Sequence, residues 1–344
     1  MALFHRPLAR TLEACLRDLA EKSPLVRRSA IEDLRRFVHP QQADSITKAL
    51  LASLSDTDAL VRMHAAYALG DAQVSSALAS LLVAIDDSHS LVRQAAIDAV
   101  GMLKDPRATA RLLRATRDER PDTRFQAIIA VGRVSPTDAV EVVLRAMTDS
   151  DAKVRYIAVR VAEEISSPTP GRVQVPSAIA SKLPRWLEDE DSRVRLAVAI
   201  LLARAGDLSG RQQLVDAIEG RMVILEADDE VAAIELAGQH RLEEAIKPLE
   251  RRAFGISRWF VERLSWSSRV ALARMGHAKA IASIVLDLDS WSQAKRNAAV
   301  LAAAEARLVD VLSKLETMRG NDTVADADTV EAAIEKLRST DGSV

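Results

Sequence analysis

The chain has 344 residues, 48% of them apolar but only 3% aromatic, and a formal net charge of −2. That near-neutral balance argues against a dedicated nucleic-acid binder, which normally carries a basic excess, and the single cysteine, Cys15, excludes an internal disulfide and a thiolate metal cage. No uncharged apolar run of about 18 residues offers a membrane span, and the start Met1–Pro7 lacks the apolar stretch of a secretory leader, so a soluble, cytoplasmic protein is expected.

An amphipathic helix is expected from Pro7 to Ala20, with Leu8, Leu12, Leu16 and Leu19 on one stripe. The next begins at Ser23-Pro24, because serine is a favoured N-cap and proline at the first helical position forfeits no hydrogen bond. Val26-Arg27 then opens a pattern that the chain copies: an acidic turn, Val-Arg, small and apolar residues at helical spacing, then glycine. The clearest copy runs from Asp87 to Gly101. Others are Asp56…Val61-Arg62…Gly70, Asp118…Thr123-Arg124…Gly132 and Asp149…Val154-Arg155. The Val position recurs at Val26, Val61, Val92, Thr123, Val154 and Val194, at steps of 35, 31, 31, 31 and 40 residues. A fixed period of roughly 20 to 50 residues marks a solenoid, whose units are too small to bury an apolar face alone and must stack.

The turns keep phase. Asp58, Asp151 and Asp191 stand at the cap position, and Pro121 stands where Pro24 does. His89 and Arg120 are poor caps, for which Asp87 and Asp118, two residues earlier, are expected to compensate. A second apolar helix follows in each unit: Ala77–Ile85, Ala108–Thr116 and Ala139–Met147. Gly70, Gly101 and Gly132 end the Val-Arg helix or lie in its last turn, where glycine tolerates a left-handed cap.

Ser166 to Pro176 breaks the rhythm and holds the nine-residue excess of the last step; Pro168, Pro170 and Pro176 keep it out of a helix. After Val194 the copies decay. Asp228–Gly238 and Ser267–Gly276 keep alanine and glycine but lose Val-Arg, and Lys295–Leu301 is the last copy. Thr329–Leu337 reads as a closing helix with Val330, Ala333, Ile334 and Leu337 inward. The expected organisation is therefore N-terminal repeats over 1–165, a Pro-rich loop insertion or soft boundary over 166–176, degenerate repeats with a closing helix over 177–338, and a disordered tail over 339–344. The fold class is all-α, an α-solenoid of helical hairpins.

The motif Asp-x4-Val-Arg-x2-Ala-x3-Leu-Gly at about 31-residue spacing resembles HEAT repeats, of the short HEAT-like type first named from phycobilisome bilin lyases, over roughly residues 8–310. The resemblance implies a right-handed superhelix of paired helices, HEAT- or armadillo-like, with the Val-Arg helices lining its concave side. It also implies a scaffold or adaptor more often than an enzyme; no cofactor is expected.

Four features are candidates for function. The repeated arginines Arg27, Arg62, Arg93, Arg124, Arg155 and Arg195 read as a structural ladder, each paired with a turn acid such as Asp87 or Asp118 of an adjacent unit, since buried charges persist only when paired; an anion track is the alternative. Two and six residues after the Val position, side chains should point away from the core. Those positions hold Met63 and Tyr67, Gln94 and Asp98, Phe125 and Ile129, Tyr156 and Arg160, and Leu196 and Ile200. Apolar and aromatic residues there suggest a protein-partner site anchored on Met63, Tyr67, Phe125, Ile129, Tyr156 and Arg160; a phase error of one residue would make them core. Third, residues 251–269 interleave basic residues with Phe254, Trp259, Phe260 and Trp266. That is either an irregular helix pair with a tryptophan core or a patch (Arg258, Trp259, Arg263, Trp266) for single-stranded nucleic acid, an anionic membrane surface or an acidic peptide. Fourth, Arg107, Arg111 and Arg114, followed by Arg117 and Arg120, form a basic helix stripe, most simply a solvated face.

Catalytic chemistry has little footing. None of His5, His39, His64, His89, His240 and His277 is followed by glutamate, and there is no metal-ligand spacing, phosphate-cradling loop or Gly-x-Ser-x-Gly. The expected activity is a non-catalytic scaffold or adaptor that grips a protein partner. A bilin-lyase-type enzyme or enzyme subunit, and nucleic-acid binding through residues 251–269, are the alternatives.

Overall fold

The computed structural model describes residues 10–37, 43–167, 173–224, 226–255, 262–320 and 324–340. These residues form α-helices and short 3-10 turns, with no strand among them. The chain divides into two compact units, Met1–Ile179 and Ala180–Val344.

The first unit contains α1 (Leu12–Asp18), α2 (Pro24–Leu34), α3 (Ala43–Ser53), α4 (Ala59–Asp71), α5 (Leu78–Ala84), α6 (Ser90–Leu103), α7 (Thr109–Ala115), α8 (Pro121–Val134), α9 (Pro136–Ala146) and α10 (Ala152–Ser166); α11 (Ser177–Ala180) falls at the division. The second unit contains α12 (Ser192–Arg204), α13 (Arg211–Ile218), α14 (Ala227–Gln239), α15 (Ile246–Phe254), α16 (Glu262–Arg274), α17 (Ala278–Asp287), α18 (Gln293–Ala306), α19 (Leu312–Met318) and α20 (Ala327–Thr340). In the first unit the Val-Arg helices α2, α4, α6, α8 and α10 pack one on the next, and α3, α5, α7 and α9 back them. In the second, α12, α14, α16, α18 and α20 make the equivalent layer, backed by α13, α15, α17 and α19. Each unit is thus a run of helical hairpins stacked in sequence order, the α-solenoid that the 31-residue period implies.

Small side chains set the spacing between helices. Ala65, Ala66, Ala95, Ala96, Ala99, Ala127 and Ala130 are all buried, and larger residues such as Ile97, Leu112 and Ile128 fill the space between the two layers. Each of those three contributes about 1.5–3 kcal/mol by leaving water.

The glycines of the repeat serve a different purpose from the one expected. Gly70, Gly101 and Gly132 lie within α4, α6 and α8, and they sit where the next helix comes closest. A Cβ on Gly70 would stand 2.7 Å from Ala99 Cα, one on Gly101 3.1 Å from Ala130 Cβ, and one on Gly132 2.8 Å from Val161 Cγ1. Three positions later a left-handed residue closes α4 and α6, whereas α8 ends at Ser135 with φ −144°. The left-handed residue is Gln73 (φ 52°) and Lys104 (φ 50°) in the first unit, and Gly206, Arg241 (φ 52°), Gly276 and Arg307 (φ 58°) in the second. At Gln73, Gly206, Arg241, Gly276 and Arg307 the following amide reaches back five residues, as in Val74 N–H to Leu69 O (3.1 Å) and Leu308 N–H to Ala303 O (3.0 Å), the Schellman closure of a helix end.

Helix starts follow the turn acids. Asp58 accepts from the Leu60 and Val61 amides, Asp151 from Lys153 and Val154, and Asp191 from Arg193. Asp87 and Asp118 accept from the amides of His89 and Arg120, at 2.8 and 2.9 Å. His89 does cap, weakly, through Nδ1 to the Leu91 amide (3.3 Å), so it is a better cap than its residue type implies. Ser23, expected to cap α2, makes no side-chain cap bond; its own carbonyl takes the Val26 amide instead (3.1 Å). The closing helix is longer than its sequence signal, Ala327–Thr340, with Val330, Ala333, Ile334 and Leu337 all buried; residues 341–344 lie outside the described residues.

Candidate partner-binding face

The repeated arginines hold the turns between helices. Each extends one guanidinium nitrogen back to the carbonyls that end its own turn: Arg62 to Asp56 O (2.8 Å), Arg93 to Asp87 O (2.9 Å), Arg124 to Asp118 O (2.9 Å), Arg155 to Asp149 O (2.9 Å) and Arg195 to Asp189 O (2.6 Å). Some of them also fork onto the turn acid of the following unit. Arg27 holds Asp56 (2.8 and 2.7 Å), Arg62 holds Asp87 (2.7 and 2.8 Å) and Arg124 holds Asp149 (2.7 and 2.6 Å). The Arg62 fork holds the Asp87 carboxyl below its ordinary range against the opposing effect of burial. Asp118 departs from the expected pairing. Arg120, two residues on, forks onto both of its oxygens (2.8 and 2.7 Å), so Arg93 forms no ion pair with it.

Residues two, six and ten after the Val position recur at four-residue steps and share one face of each inner helix. In the first unit these are Met63, Tyr67 and Asp71 on α4, Gln94, Asp98 and Met102 on α6, Phe125, Ile129 and Arg133 on α8, and Tyr156, Arg160 and Glu164 on α10. None is fully buried. Met63, Tyr67, Phe125, Ile129, Tyr156 and Arg160 are all half-buried, resting on the layer while keeping part of their surface open. The row is not continuous. On α6 the two central positions are polar, and Asp98 is bound by Arg133 from α8 (2.9 Å). Burial, then the charge of Asp98, pushes the Tyr67 hydroxyl up, so it is a neutral donor at neutral pH. Arg160 pairs with Glu163 (3.0 Å). The register fails at α12. Leu196 and Ile200, expected on the open face, are 1% and 0% exposed, because α12 is buried on every side from Leu196 to Ala203.

The same register continues in the second unit: Val231, Glu235 and Gln239 on α14, Trp266, Val270 and Arg274 on α16, and Asn297, Leu301 and Glu305 on α18. Here the face holds a cleft of about 390 Å3 walled by Trp266, Val270 and Arg274, with Glu235 and Glu305 on its sides. Of the basic-aromatic patch, Trp266 is half-buried on this wall and Arg263 is ion-paired to Asp228 (2.9 Å), while Arg258 and Trp259 lie outside the described residues. Phe254 is half-buried beneath Lys279, 4.3 Å from its ring centroid. Sequence reading missed the cleft, although Trp266, Val270 and Arg274 at four-residue steps carried its signal. It also missed Trp291, 92% exposed in the turn before α18.

The basic stripe of the first unit is mostly compensated: Arg107 pairs with Asp105 (2.6 Å), Arg111 with Asp86 (2.5 Å) and Arg120 with Asp118 (2.7 Å). Among the described residues, no group of three or more histidine, cysteine or acidic side chains is placed to hold a metal, and no helix is long and apolar enough to cross a membrane. The histidines there have structural partners, as with His277 Nε2 at 2.9 Å from Glu250 and His240 Nε2 at 2.9 Å from the Ala203 carbonyl.

Stacked helical hairpins with a repeated Arg–Asp ladder define the class, an α-solenoid of short repeats. A family model described as HEAT repeats matches residues 47–122 and 110–175. No curated protein matches the chain. Solved structures do. The complex of CpcE and CpcF of phycocyanin lyase from Nostoc sp. PCC7120 shares 19% identity over 72% of this chain and 97% of that one, with a TM-score of 0.43. YibA of Escherichia coli shares 18% identity over 77% of this chain and 93% of that one, with a TM-score of 0.53. An engineered protein shares 17% over 95% and 98%, with a TM-score of 0.46. The YibA match agrees on the fold.

Proposed function

We propose that the chain is a non-catalytic scaffold that binds a protein partner along the open face of its inner helices, anchored in the first unit by Met63, Tyr67, Phe125, Ile129, Tyr156 and Arg160. The observation that supports this reading most is the half-burial of the aromatic and aliphatic residues of α4, α8 and α10 on one shared register. A core residue of that size would be enclosed, and a solvated face would be polar throughout. Side chains held firmly with one side open need little further ordering when a partner covers them, which is the property of an interface anchor. Arg27, Arg62 and Arg124 are already held by carboxylates, which supports the same reading because it leaves recognition to other residues.

A pull-down from native lysate compares wild type with Tyr67→Ala/Tyr156→Ala. The double variant loses a protein band that wild type retains. Identical bands from both proteins contradict the reading.

A further inference from the structure

We propose that the second unit carries a separate site for an anionic side chain of a peptide, seated over Gly276 between Arg241 and Arg307 with Arg274 behind it. A cavity of about 300 Å3 lies at the C-terminal ends of α14, α16 and α18, and it is lined by these four residues together with Gln239 and Ile281. Gln239 and Arg274 also line the Trp266 cleft, so the two spaces adjoin.

Three observations point to an anion. First, Arg241, Gly276 and Arg307 occupy one register position, the left-handed residue that closes each inner helix. Glycine is suited to that conformation, and arginine is not. The middle helix has the glycine, and a Cβ placed there would meet nothing within 4 Å. The two flanking helices hold arginine in a conformation that costs energy, and both of those arginines border the open space above Gly276. Second, Arg241, Arg274 and Arg307 make no ion pair among the described residues, whereas the ladder arginines Arg27, Arg62 and Arg124 each hold a carboxylate. Third, Arg274 is half-buried, and its pKa is lowered by that burial and then by the like charge of Arg307. Glu305 and Glu235 oppose these effects only in part, and an anion in the cavity offsets them further.

Helix C-termini favour cations, and that alone places basic residues at these ends. It does not explain why three arginines border one open cavity with no carboxylate among the described residues in ion-pair contact with any of them. The neighbouring carboxylates fix the ligand's polarity. Glu235 and Glu305 line the adjoining cleft, and Glu305 is held by Lys336 (2.5 Å). An anion therefore belongs at the arginine end, and the residue beside it, against Trp266, is uncharged or basic. A carboxylate and a phosphorylated hydroxyl share the required chemistry. This inference deepens the partner-binding reading but places recognition in the second unit, on other residues.

The test is fluorescence anisotropy on the full chain with three fluorescein-labelled Gly/Ser-rich nonapeptides that differ at one central residue: aspartate, phosphoserine or asparagine. The aspartate or phosphoserine peptide binds, the stronger of the two identifying the anion, and the asparagine peptide binds at least about tenfold more weakly, the loss expected of a charge-assisted contact. Arg241→Gly/Arg307→Gly removes both side chains while relaxing the strained backbone. It therefore melts no lower than wild type yet loses at least about tenfold in affinity. Equal binding of all three peptides, unchanged affinity in the glycine variant, or inorganic phosphate alone binding as tightly as the peptides overturns the proposal. Tyr67→Ala/Tyr156→Ala leaves the peptide titration unchanged, so failure of either reading is distinguishable from failure of the other.

Discussion

Asp87 and Asp118 occupy equivalent turns, yet their chemistry differs. Asp87 accepts a two-pronged fork from Arg62 of the preceding unit at a site where both side chains are only 14% and 13% exposed. Asp118 is occupied by Arg120, which is 49% exposed. Asp87→Ala strands a mostly buried guanidinium and costs about 3 kcal/mol, whereas Asp118→Ala costs no more than about 1 kcal/mol, as for an exposed pair. Urea denaturation of the two variants checks the contrast, and equal losses contradict the ladder's structural role. The glycines allow a second comparison. Gly70→Ala presses a methyl onto Ala99 and destabilises by about 1–3 kcal/mol. Lys104→Gly relieves a left-handed backbone and stabilises by up to about 1 kcal/mol. A gain from Gly70→Ala, or a loss from Lys104→Gly, contradicts those roles. Sequence alone marks a glycine near a helix end but does not distinguish a glycine needed for φ from one needed for approach. Only the packing of α4 on α6 shows that Gly70 is the second kind, and that a lysine takes the left-handed position of the next unit.

At the scale of the element, the 31-residue step, the aspartate caps and the inward face of the closing helix were all legible, because each depends on local chemistry that repeats in phase. What was not legible depends on neighbours in space. Arg120 reads as a poor cap, and nothing in its own helix says that it takes Asp118 from Arg93. Leu196 and Ile200 hold the same register as Tyr156 and Arg160, and only tertiary packing encloses them. The Trp266 cleft was readable in principle, since its wall follows the register of the first unit, but the degenerate repeats hide that phase. The turn acids also set an acid limit. Arg193 holds Asp191 down at about 2, and Arg62 lowers Asp87. A carboxyl with a lowered folded pKa stabilises fully above its unfolded value near 3.9 and loses that contribution as pH falls through the folded value. Stability is therefore flat from neutral pH to about 4 and falls steeply between about 4 and 2. Asp191→Asn removes part of that slope. Helical ellipticity followed against pH checks this, and a flat profile down to pH about 2 contradicts it.

For the whole molecule, each unit repeats one plan: a layer of helices whose open face is varied and a second layer that backs it. The Arg–Asp ladder and the close-packing glycines occupy register positions that the fold requires, and the proposed partner site uses positions two, six and ten. The direct measurement is site-specific photocrosslinking. A photoreactive residue replaces Tyr67 or Phe125 on the inner face of the first unit, or Val83, 75% exposed on the outer helix α5, and the partner captured from native lysate is identified and then titrated against purified protein. The account predicts crosslinks from Tyr67 and Phe125 but not from Val83, and at least about a tenfold loss of affinity in Tyr67→Ala/Tyr156→Ala. Crosslinks from Val83 alone, or an affinity untouched by the double substitution, would contradict it.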